Sequence, residues 1–62
     1  MNNATNEQKA AAIAAAFALK GWNIEQAARH MEMKPYNLKR LIGGKFKITP
    51  EQIEKALLAL IQ

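Results

Sequence analysis

The chain has 62 residues, half of them hydrophobic, with nine basic and five acidic side chains and a formal net charge of +4. It is one domain, of a size that buries only about 60% of the surface its unfolded form exposes, so a partner or a second copy is expected to support it. Cys, Asp and Ser are absent and there is a single His, which excludes disulfides, thiolate metal sites, cysteine nucleophiles and serine triads. No catalytic residues, no metal site and no small-molecule cofactor are expected, and the chain reads as a binding protein rather than an enzyme.

In chain order, Thr5 with Gln8 forms a capping box opening a first helix over Asn6 to Lys20, which Gly21 can end in a left-handed conformation. Residues 1–5 are read as an N-terminal tail. Ala10, Ile13, Ala14 and Phe17 give this helix a core stripe, and Trp22 closes its end. Ala11, Ala12, Ala15 and Ala18, beside Leu19, form either a solvent-tolerant helical face or a close-packing surface. The longest apolar run, Ala10 to Leu19, is too short to span a bilayer, which takes about 20 residues. MNNATNEQK lacks the basic start of a signal peptide. No membrane association is expected, and a cytoplasmic location, in a bacterial nucleoid or a phage-infected cell, is.

Asn23 with Gln26 repeats the capping box and opens a second helix running to Met31 or Glu32. His30 reads as a surface residue of it. Pro35, tolerated at a first helical position, opens a third helix that Gly43-Gly44 ends. Ala27, Ala28, Met31, Met33, Leu38 and Leu41 fall where two short helices pack across a tight turn at Glu32, with the alanines allowing close approach. Residues 23–42 thus carry the pattern of a helix-turn-helix. Lys45 to Ile48 reads as a plain linker or a very short strand. Thr49, Pro50 and Gln52 combine an N-cap, a first-position proline and a third capping box, so a fourth helix is expected over Pro50 to Ile61.

Charge placement says more than the total. From Met33 to Pro50 there are five basic residues and no acid, while the remainder carries four basic and five acidic residues. At 100° per residue, Leu38, Leu41 and Ile42 define the buried side of the third helix. Tyr36 and Arg40 then lie opposite, Asn37 and Lys39 flank them, and Lys34 sits at the tip. Such groups suit a DNA major groove. Arg40 matches guanine acceptors, Asn37 adenine or a phosphate, Tyr36 a phosphate or a thymine methyl, and Lys34, Lys39, Lys45 and Lys47 phosphates. Lys45 and Lys47 can equally serve only to keep an exposed segment soluble.

In the fourth helix Ile53, Leu57, Leu60 and Ile61 share a side that Ala56 and Leu58 widen, more apolar surface than a small three-helix core covers. Self-association as a homodimer through Ile53, Leu57, Leu58, Leu60 and Ile61, with the first helix as a possible contributor, is the expected cover.

ALKGWNIEQAARHMEMKPYNLKRLI resembles the Fis-type helix-turn-helix, found in Fis and at the C-terminus of NtrC-like regulators, on Ala27-Ala28, Met33, Leu38, Lys39 and Arg40. It covers about 25 of the 62 residues and differs in Glu32 for the usual turn glycine, in Pro35, and in some twenty residues beyond the motif. The resemblance implies helix packing by Ala27, Ala28, Met33 and Leu38, DNA contact by Lys39 and Arg40, a dimer, and a compact regulator of the kind phages and plasmids use. The reading is an all-α, four-helix protein, its first three helices forming a helix-turn-helix core, that binds double-stranded DNA as a dimeric transcriptional repressor or accessory factor. The alternative is a small interaction module or inhibitor whose basic face meets an acidic protein.

Overall fold

Four helices are present in the computed structural model, which describes residues 4–61. They are α1 (Asn6–Lys20), α2 (Ile24–Met31), α3 (Pro35–Ile42) and α4 (Pro50–Leu58), the last continued by a 3-10 turn over Ala59–Ile61. The expected tail at 1–5 lies partly outside the described residues. No strand occurs among them, so 45–48 is a connecting segment. No described helix is long and apolar enough to cross a membrane.

Local chemistry sets the helix starts. Thr5, Asn23 and Thr49 each accept a bond from the backbone N–H of Gln8, Gln26 and Gln52, and each glutamine side chain accepts the cap residue's own N–H in return. A side-chain cap of this kind contributes about 0.5 to 2 kcal/mol. The helix ends share a second device. After α1, α2 and α3 the chain turns left-handed at Gly21, Glu32 and Gly44. The N–H of the next residue then reaches back to the carbonyl five positions earlier, Trp22 to Phe17, Met33 to Ala28 and Lys45 to Arg40.

Packing follows from where the small residues lie. α1 is the spine, touching α3, α4 and the 3-10 turn, while α2 packs on α3 and α4. The core joins Ala10, Ile13 and Phe17 of α1, Ala27, Ala28 and Met31 of α2, Leu38 and Leu41 of α3, Ile48, and Ala56 and Ala59. The alanines let backbones approach, and Ile13, Leu38, Leu41 and Ile48 fill the space between.

Four details depart from the sequence reading. Ala14 and Ile42 are only half-buried, whereas Ala16 is buried. Ala56 belongs to the core rather than to an outer stripe. α4 tightens into a 3-10 turn after Leu58, rotating the last three residues relative to a continued α-helix. His30 is half-buried rather than on the surface: its Nε2–H donates to the Lys55 carbonyl at 2.7 Å, and its ring lies 5.1 Å from Trp22 and 6.1 Å from Phe17 between centroids. A carbonyl can only accept, so the bond fixes the proton on Nε2.

Candidate functional site

α3 is an amphipathic helix of two turns. Leu38 and Leu41 anchor one side in the core with no exposed surface. The opposite side carries Tyr36, 67% exposed, and the exposed Arg40. Lys39 is exposed beside them, Asn37 is half-buried, and Lys34 stands exposed at the N-cap. Lys45 and Lys47, both exposed, follow in the segment leading to α4. The seven residues expected to contact DNA therefore lie at the N-cap of α3, on α3 itself and on the chain that directly continues it.

Arg40 does not wave freely. Its guanidinium carbon lies 4.7 Å from the centroid of the Phe46 ring and 5.7 Å from that of Tyr36. Both are within cation–π reach, worth about 0.5 to 1 kcal/mol at an exposed site. The Tyr36 contact is the i, i+4 neighbour expected on a helix. The Phe46 contact is not legible that way, because it depends on how 44–48 folds back.

Asn6 determines that fold-back from the first turn of α1. Its amide nitrogen donates to the carbonyls of Gly44 and Phe46, and its oxygen accepts the Ile48 N–H at 2.8 Å. One side chain thus satisfies three backbone groups of a segment that forms no strand. Gly44, left-handed at φ 78°, lets the chain turn into this position.

The first turn of α3 is also unlike the others. Among the described residues, α1, α2 and α4 each have a side-chain cap and an acidic residue in the first turn, Glu7, Glu25 and Glu51. α3 has neither. Its N-terminal N–H groups and the positive end of its dipole are left to solvent beside Lys34.

The expected self-association residues divide. Ile53, Leu57, Leu58 and Ile61 line an open groove between α1 and α4 of about 680 Å³. Leu60 is exposed but does not line it. Leu57, Leu58 and Ile61 remain 46%, 42% and 78% exposed. Ala12 of the alanine face lines the same groove.

Among the described residues no three His, Cys, Asp or Glu side chains come together as a metal-holding group. Sequence reasoning missed Asn6 and Phe46. The only local hint was a lone aromatic set between two lysines in a segment without helical or strand pattern, which needs cover from elsewhere. No protein-family model, curated protein or solved structure matches the chain.

Proposed function

We propose that the protein binds double-stranded DNA in a sequence-specific way, as a small homodimeric regulator of transcription, of repressor or accessory type, that places α3 in the major groove. The observation that carries the reading is the outer face of α3, where Tyr36, Asn37 and Arg40 are framed by exposed Lys34, Lys39, Lys45 and Lys47 in a stretch without an acid. Polar groups that can read base edges occupy the centre, and cations that can neutralise phosphates surround them. The uncapped, acid-free start of α3 adds backbone donors suited to a phosphate. The resemblance to the Fis-type helix-turn-helix supports the same docking, in a bacterial or phage cytoplasm.

In this reading Arg40, held over Phe46 and Tyr36, meets guanine O6 and N7. Asn37 reaches adenine or a phosphate, and Tyr36 a phosphate or a thymine methyl. Two turns of helix reach few base pairs, so useful discrimination needs two copies on neighbouring half-sites.

Mobility shifts on fragments selected from a random pool test it. Affinity is expected to fall about a hundredfold or more between 50 and 200 mM salt, since several phosphates are neutralised per subunit. Arg40→Ala is expected to relax preference at one base position by about 1 to 3 kcal/mol, while Lys45→Ala weakens all sequences alike. Failure to retain any fragment at low salt, or a flat salt response, overturns the reading and leaves an acidic protein as the partner for the basic face.

A further inference from the structure

We propose that the groove between α1 and α4 is the two-fold contact of the homodimer, filled by the same groove of a second copy and keyed by Lys9 of each copy against Glu54 of the other. The inference rests on the homodimer in the reading above, and not on how α3 meets DNA.

The groove holds about 680 Å³, and its apolar lining includes Ala12, Ile53, Leu57, Leu58 and Ile61. Volume alone fits many occupants, a small apolar molecule included. Two observations select a second copy. First, Leu57, Leu58 and Ile61 both line the recess and project from it, being 46%, 42% and 78% exposed. A surface that offers recess and projection of one chemistry matches itself, as a two-fold contact requires.

Second, the two walls carry one charge of each sign. Lys9 on α1 and Glu54 on α4 both border the groove, and neither is ion-paired within the chain among the described residues. A two-fold axis running along the groove lays α1 of one copy over α4 of the other. That operation brings Lys9 against the partner copy's glutamate twice. A lipid chain would use neither charge, and an unrelated helix would have to supply both complements.

Sedimentation of the full chain without DNA is the test. The unchanged protein is expected to run as a dimer at high micromolar concentration. Lys9→Glu alone and Glu54→Lys alone each place like charges at both ends of the contact, and each is expected to weaken self-association about tenfold, as two exposed pairs of up to about 1 kcal/mol allow. Mixing the two variants in equal amounts is expected to restore a dimer, because in the mixed species both contacts again join opposite charges. Circular dichroism of each variant, and the doubly substituted chain, which also pairs correctly and should dimerise, separate lost contact from lost fold.

A monomeric unchanged protein overturns the proposal. So do single variants that dimerise as well as the parent, and a mixture that stays monomeric although both variants are folded. Binding of a hydrophobic dye by a stable monomer assigns the groove to a small apolar ligand instead. Because no DNA is present, these outcomes stand apart from the mobility-shift result: a dimer that ignores DNA removes the DNA reading and leaves the groove contact, and a monomer that shifts DNA removes the groove contact and the homodimer and leaves the docking of α3.

Discussion

α3 and α4 are near twins in length and both open on a proline, yet their outer faces have opposite chemistry. Two turns of α3 show a tyrosine, an asparagine, an arginine and a lysine, whereas the end of α4 and the turn beyond it show leucines and an isoleucine. A charged face is content in water, because its groups keep their solvation until a partner arrives. An apolar face of comparable size costs free energy continuously, at about 25 cal/mol per Å². The difference teaches that exposure is not one property: on α3 it leaves donors available, and on α4 it leaves a surface without cover.

The sharpest way to break this comparison is to make one truncation on both helices. Leu41→Ala opens a cavity in a fully buried site and is expected to cost about 2 to 5 kcal/mol, close to the whole stability of so small a domain. Leu58→Ala at dilute concentration is expected to cost under about 0.5 kcal/mol, as surface changes do. Urea unfolding of the two variants measures both, and equal losses would mean that Leu58 belongs to the core of the monomer.

A smaller effect is expected where the two faces are joined. Asn6→Ala removes the partner of the Gly44 and Phe46 carbonyls and of the Ile48 N–H. Leaving such groups unmet costs about 1 to 3 kcal/mol. Asn6→Asp keeps an acceptor for Ile48 but sets a carboxylate against two carbonyls, so it should fare no better than alanine. Thermal melts of the two variants check this, and a stable Asn6→Asp protein would show that the donor half of the amide is dispensable.

The smallest effect concerns the turn between α2 and α3. Glu32 is left-handed at φ 57°, where a residue with a Cβ carries a cost of about 1 to 2 kcal/mol that glycine escapes. Its carboxylate also lies 3.2 Å from Lys55 Nζ, but Lys55 is only half-buried and Glu32 is exposed, and such a surface pair contributes about 0 to 1 kcal/mol. Glu32→Gly is therefore expected to raise the melting temperature slightly or leave it unchanged. A clear drop would mean that the pair to Lys55 outweighs the backbone strain.

What could be read from the sequence follows from the range of the interactions concerned. The starts of all four helices were legible because each depends on residues within four positions, a capping box or a proline. The ends of α1 and α3 were legible from Gly21 and from Gly43-Gly44, and the left-handed turn at Glu32 from the helix-turn-helix resemblance, whose turn position usually holds glycine. The outward set on α3 followed from helical geometry once Leu38 and Leu41 were placed inside. Asn6, by contrast, acts on residues 38 to 42 positions away, and His30 on a carbonyl 25 positions away. No local periodicity encodes either contact. The 3-10 turn after Leu58 is likewise set by tertiary packing, with Ala59 drawn fully into the core.

The contact of Arg40 with Phe46 and Tyr36 has a consequence for what kind of partner the outer face of α3 can tolerate. A free arginine carries about 2 kcal/mol of rotamer entropy, which it surrenders on meeting an acceptor. Here the two rings take up part of that loss during folding, so less remains to be lost on association. The same restraint narrows the side chain's search. An acceptor in register with the restrained fork meets it at a lower entropic cost than one displaced from it, because the displaced one must first draw the guanidinium off the rings.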